Sequence, residues 1–156
     1  MKPKYNKAYR AIYNLTAHVV FVTKYRKPIL TDELLTELET IFTSILQTRE
    51  GNLEQFNGEK DHVHLLLSYK PSISVSNLIA NLKATSSKTM WRNHADYLSQ
   101  KYHKRVLWTG SYFVASCGGV TIEKLRQYVE QQDRLATDTD LKSVSQAQVH
   151  SAPLAQ

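Results

Sequence analysis

Two stretches of β-prone residues, each followed by a long run at helical spacing, do most to restrict what this 156-residue chain can fold into. From Tyr13 to Thr23 the residues alternate, Leu15, Ala17, Val19 and Phe21 against Thr16, His18, Val20 and Val22, which predicts a central strand. The basic segment Lys24-Tyr25-Arg26-Lys27-Pro28 follows, and Pro28 ends any ladder. A helix is then expected from a cap at Thr31 or Asp32, with Leu34, Leu35, Leu38, Ile41, Phe42, Ile45 and Leu46 at helical spacing and Gly51 as its stop. Leu53 to Asn57 reads as a short strand, Gly58-Glu59-Lys60 as a turn, and His62 to Ser68 as a second strong strand closed by Pro71. Ser72 or Ser74 caps a second long helix carrying Val75, Leu78, Ile79, Leu82 and Met90 or Trp91. Two β-rich pieces, Val106-Leu107-Trp108 and Tyr112-Phe113-Val114-Ala115, precede a third helical run from Thr121 to Gln132. This order predicts an α+β fold: an antiparallel sheet with helices packed mainly on one face, of split β-α-β type. The strands holding His18 and the His62/His64 pair take its centre.

The length suits one domain, expected over 1–136, with 137–156 a polar, loose tail. No apolar stretch nears the roughly 20 residues that span a bilayer, so no membrane partner is expected. The start, Met1 to Asn6, lacks a signal peptide's apolar core, and the lone Cys117 allows no internal disulfide; a cytoplasmic protein is expected. Net charge is +6 and the tail is acidic, which leaves the body near +7. Such an excess favours polyanions through counterion release.

The chemistry concentrates in His62-Val63-His64. Residues two apart on a strand share a face, so both imidazoles project together, close enough to share one metal ion or one phosphate. In the third helical run, Tyr128 and Gln132 lie four apart and share a helix face. Two histidines, a phenol and an amide compose a metal-assisted phosphoryl-transfer site. Imidazole together with amide and phosphate oxygens favours an ion that tolerates octahedral geometry, Mn2+ or Mg2+, whereas a structural zinc site wants more cysteine and histidine ligands. Against this stands the plain alternative that two histidines fall two apart on a strand and a glutamine-rich helix face is solvated.

Lys24, Arg26 and Lys27 after the first strand, and Lys83, Lys88 and Arg92 on the second helix, are candidate DNA contacts, with Tyr25 and Trp91 placed to stack on unpaired bases. Gly118-Gly119 reads as a hinge that swings Tyr128, or as an ordinary turn before a helix.

The segments His18 to Arg26, Asp61 to Leu66, Leu82 to Ser87, Trp108 to Val114 and Tyr128 to Gln132 together resemble the small single-tyrosine HUH transposases, which serve bacterial and archaeal insertion sequences that move as single-stranded DNA. The resemblance runs from about Tyr13 to Gln132 and keeps both order and spacing. It implies His62 and His64 as metal ligands, Tyr128 as nucleophile and Gln132 as third ligand. It further implies homodimers in which the tyrosine helix of one protomer serves the histidine pair of the other, acting on hairpin-ended single-stranded DNA. The expected reaction is transesterification through a 5′-phosphotyrosine, with no nucleotide cofactor; no Gly-rich phosphate loop is present. Rival readings are a replication-initiator or relaxase nickase, a domesticated relative that processes genomic palindromes, a two-histidine phosphoesterase, and a non-catalytic RRM-like nucleic-acid binder. The phosphoesterase would want a second H-x-S/T motif, and the RRM-like binder would want aromatics on the central strands.

Overall fold

In the computed structural model the described residues are 6–8, 11–116 and 127–131. Gln132, Gly118-Gly119 and the segment 137–156 lie outside them. The element order is β1 (Asn6–Ala8), β2 (Ala11–Tyr13), β3 (Leu15–Val22), α1 (Asp32–Thr48), β4 (Asn52–Gly58), β5 (His62–Tyr69), α2 (Val75–Asn93), α3 (Ala95–Ser99) and β6 (Phe113–Ser116). Residues 127–131 are helical. Strands β4-β5-β3-β6 form one antiparallel sheet, with β3 and β5 at its centre as expected. The β1–β2 hairpin forms a separate two-stranded sheet.

Register explains the two faces. Ala17, Val19 and Phe21 of β3 oppose Leu67, Leu65 and Val63 of β5, so all six side chains share one face. Against it pack Leu34, Leu38, Phe42 and Leu46 of α1 and Leu78, Ile79, Leu82 and Met90 of α2, forming the main core. The Phe21 ring sits 5.9 Å from Phe42 and 5.6 Å from Trp108, in tilted pairs. The opposite face carries His18, Val20 and Val22 against Leu66, His64 and His62. There Val20 and Val22 form a small second core with Tyr128 and Val129, with Phe113 packed against it. Residues 127–131 thus cover part of the histidine face, and β3 is buried on both sides from Val19 onward.

Helix starts fall where their side chains cap them. Thr31 Oγ1 accepts from Leu34 N at 3.2 Å, and Ser74 Oγ from Asn77 N at 3.4 Å. The end of α1 differs from expectation. Glu50, not Gly51, takes the left-handed conformation (φ 60°). Gly51 is needed for space: a Cβ there would lie 2.6 Å from the Ser68 carbonyl oxygen. Val106-Leu107-Trp108 is not a strand; Trp108 makes one isolated bridge to Thr23. Trp91 is also corrected. It is 5% exposed, its indole N–H donates to the Val106 carbonyl at 2.9 Å, and it is core rather than a stacking platform for bases.

Candidate active site

His62 and His64 project from the open end of the second sheet face, their ring centroids 4.9 Å apart at an interplanar angle of 76°. They line a cavity of about 600 Å3 with His18 from β3, Gln55 and Asn57 from β4, Glu59 from the β4–β5 turn, and Arg26. Val129 and Glu130 wall it from the helical stretch. Asn57 pairs with His64 across the strands, which explains its place beside the imidazole. His18, Gln55, Asn57, Glu59 and Glu130 had no sequence signal beyond position; only the cross-strand register gathers them.

The tautomer of His62 is fixed from behind. Its Nδ1–H donates to Asp61 Oδ1 at 2.7 Å, and Arg26 Nε–H donates to Asp61 Oδ2, also at 2.7 Å. Burial pushes the Asp61 carboxyl up, yet the hydrogen bonds and charges of His62 and Arg26 outweigh it and leave it below the usual carboxylate value. With Nδ1 engaged by the carboxylate, Nε2 is the His62 nitrogen that a metal would bind, the arrangement of a carboxylate–histidine–metal relay. Burial, then the His62 and His18 imidazoles, pull the His64 pKa down to about 4. Two adjacent imidazoles opening onto one cavity are nitrogen donors that fit a divalent ion. Among the described residues no group of three or more His, Cys, Asp or Glu side chains is placed to hold a metal.

Tyr128 is not turned into this cavity. It is 2% exposed, its ring packs 5.6 Å from Phe113, and its hydroxyl meets Ser111 Oγ at 3.3 Å. Burial raises its pKa well above the ordinary phenol value, against the pull of Ser111 and Thr109. The loop that receives it is braced by Thr109 Oγ1, which donates to the Ser111 carbonyl at 3.1 Å. Lys83 completes the brace: its ammonium donates to the carbonyls of Thr109 (2.7 Å) and Ser111 (3.4 Å) and lies over the Tyr112 ring. Burial, then the charge of Lys24, pulls Lys83 down to about 8.

Among the candidate DNA contacts, then, Lys83 ties α2 to the loop under the tyrosine, and Arg26 serves Asp61 while lining the histidine cavity. Lys88 and Arg92 are exposed one turn apart on α2. Lys24 is half-buried beside Tyr25, which stands 58% exposed. Sequence spacing could not separate the lysine that folds inward from those that stay in water. Asp61 carried a signal that was readable, since it directly precedes the histidine pair.

Known proteins resemble this chain in sequence and fold. The family model described as "Transposase IS200 like" matches residues 11–132. The transposase of insertion sequence element IS200 from Salmonella typhimurium is 29% identical over 120 residues, which cover 77% of this chain and 78% of that protein. The ISDra2 transposase TnpA of Deinococcus radiodurans is 30% identical over 123 residues, covering 78% and 86%. A crystal structure from Deinococcus radiodurans, assigned as a transposase, superposes with a TM-score of 0.75 at 30% identity, over 81% of this chain and 97% of that one. A REP-associated tyrosine transposase bound to a REP hairpin shares the fold at a TM-score of 0.50 and 12% identity, over 83% and 70%. Since the family match spans every element of the main sheet together with both histidines and the tyrosine helix, the chain belongs to the IS200-like transposases.

Proposed function

We propose that this transposase cuts and rejoins single-stranded DNA at insertion-sequence ends, with Tyr128 as nucleophile and His62 and His64 as the centre that receives the scissile phosphate. The observation that carries this reading is the pair of adjacent imidazoles, one held by Asp61, on a cavity walled by the helix that bears Tyr128. The Tyr128 oxygen attacks phosphorus and the P–O3′ bond breaks; the upstream fragment leaves with a free 3′-hydroxyl, while the 5′-phosphate of the downstream fragment stays esterified to the phenol. A 3′-hydroxyl then attacks the phosphotyrosine, which forms the new phosphodiester and returns Tyr128. Each step exchanges one phosphate ester for another, so no nucleotide is consumed.

A divalent ion, Mg2+ or Mn2+, held by His62, His64 and the Gln132 amide, would supply charge neutralisation and orientation of the phosphate. Gln132 lies outside the described residues and enters here on its place in the sequence, four residues after Tyr128. Burial keeps Tyr128 protonated against Ser111, so loss of the phenolic proton belongs to a state in which the hydroxyl has left that position. Within one chain the hydroxyl does not face the cavity, which supports delivery of Tyr128 to the histidine pair of a second protomer in a homodimer. The hairpin bound by the REP-associated relative supports hairpin-ended DNA as substrate here. Among the described residues no helix is long and apolar enough to cross a membrane, and a DNA substrate supports a cytoplasmic location.

The test is direct. Labelled single-stranded hairpin DNA incubated with protein and Mn2+ gives a covalent adduct stable to denaturation. Tyr128→Phe gives none; an adduct from that variant would overturn the nucleophile assignment.

A further inference from the structure

A second cavity, of about 380 Å3, opens beside the first and has a different chemistry. It is lined by Lys24, Tyr25 and Lys27 from the turn after β3 and by Lys101, Tyr102, His103, Lys104 and Val106. Four lysines and a histidine are among its lining residues, and among the described residues no Asp or Glu lines it. The histidine cavity, by contrast, contains Glu59 and Glu130.

The two walls are clipped together by backbone. Lys24 N–H donates to the Leu107 carbonyl at 2.8 Å, Tyr102 Oη–H to the Lys24 carbonyl at 2.8 Å, and the Lys27 ammonium to the Lys101 carbonyl. Lys27 also lies over the Tyr102 ring, 5.2 Å from its centroid. The turn itself is strained: Tyr25 and Arg26, neither of them glycine, take φ of 59° and 51° in succession. That geometry sends Arg26 to the histidine cavity while the residues on either side of it, Tyr25 and Lys27, line the second one. Among the described residues Tyr25 is the large hydrophobic side chain left exposed, at 58%, with the Lys24 ammonium 5.3 Å from its ring centroid. A lysine-lined cavity with an exposed planar ring at its edge suits a polyanion that also carries flat bases, which is single-stranded nucleic acid rather than an acidic peptide.

We propose that this cavity binds the single strand flanking the scissile phosphate, its lysines taking backbone phosphates while Tyr25 stacks on an unpaired base. The proposal rests on the histidine cavity receiving the scissile phosphate, because the strained turn joins the two cavities within consecutive residues. It gives the enzyme a grip on DNA outside the reacting atoms.

Binding is read by fluorescence anisotropy on the Tyr128→Phe protein, so that the readout does not depend on chemistry. A hairpin oligonucleotide ending at the cleavage junction is compared with versions extended by unpaired nucleotides on the 5′ or the 3′ side. Extension on one side should tighten binding about tenfold at low salt. K101A/K104A should lose most of that gain and flatten the log–log salt dependence of the extended oligonucleotide by about 1.4, at roughly 0.7 per phosphate contact. Tyr25→Ala should weaken the extended oligonucleotide about fivefold or more, while Tyr25→Trp retains it. No gain on either side, an unchanged salt slope in K101A/K104A, or equal competition by polyglutamate would each overturn the assignment. Failure of the unaltered protein to form a covalent adduct would instead strike the proposed chemistry and leave these binding results standing.

Discussion

At the scale of single residues, Asp61 decides how well the histidine pair can hold an ion. Its carboxylate fixes the Nδ1–H tautomer of His62 and is itself oriented by Arg26. Asp61→Asn removes the charge that orients the ring, and outer-shell changes of this kind cost about 10- to 100-fold in metal affinity. Isothermal titration with Mn2+ checks it; an unchanged affinity would show that the ring needs no such support. His64 gives a pH prediction. Its folded value of about 4 lies below the ordinary 6.5, so between those limits the unfolded chain binds the extra proton. Stability from neutral His64 is fully present above about pH 6.5 and is lost as pH falls through about 4. Urea midpoints measured across that window should fall more steeply for the native protein than for His64→Asn, and parallel curves would contradict the assignment.

At the scale of elements, the loop after Trp108 is where α2, β6 and the tyrosine helix meet. Ser111 receives the Tyr128 hydroxyl, Lys83 holds the loop from α2, and the Trp108 indole donates to the buried Ser86 Oγ at 2.9 Å. Ser111→Ala leaves a buried hydroxyl short of a partner, and loss of about 1–3 kcal/mol in urea unfolding is expected; an unaltered midpoint would mean that the Ser111 contact does not hold Tyr128. The glycines bounding β4 give a sharper comparison. A Cβ at Gly51 meets the backbone oxygen of Ser68, while one at Gly58 meets the movable end of the Leu35 side chain. Gly51→Ala should therefore cost more stability than Gly58→Ala, by about 1 kcal/mol or more, and the reverse order in thermal melts would refute that account of α1's exit. These elements also show how far the sequence could be read. Alternation in β3 and the histidine strand, the Thr31 cap and the Ser74 cap are local signals, and all appear in the structure. The inward turn of Lys83 and the burial of Trp91 were not legible, because helical spacing places a residue on a face without saying which loop will cover that face. The buried serine Ser86 disguised that covered face, since it occupies a core position between Leu82 and Met90. The short α3 and the β1–β2 hairpin carried no periodicity long enough to detect.

At the scale of the whole molecule, one protomer holds both halves of the proposed chemistry without joining them. The histidines open onto a cavity, while the phenol rests in a small apolar core on the same sheet face. The family was legible from five segments of sequence; the resting place of Tyr128 was not, because it depends on contacts between β3, β6 and a loop remote in the chain. If Gly118-Gly119 lets the tyrosine helix move between strand cleavage and rejoining, replacing both by alanine should spare adduct formation and impair rejoining, as read on a two-substrate gel. Unchanged rejoining would remove the hinge. Sharing of sites between protomers can be tested by mixing inactive chains. Tyr128→Phe and His64→Ala proteins, each unable to cut alone, are combined, allowed to exchange subunits and assayed for covalent adduct on hairpin DNA. The account predicts that cleavage returns in the mixture, with the adduct carried by the His64→Ala chain, whose intact phenol reaches the intact histidines of its partner. A mixture as inert as its components, with exchange verified, would contradict it.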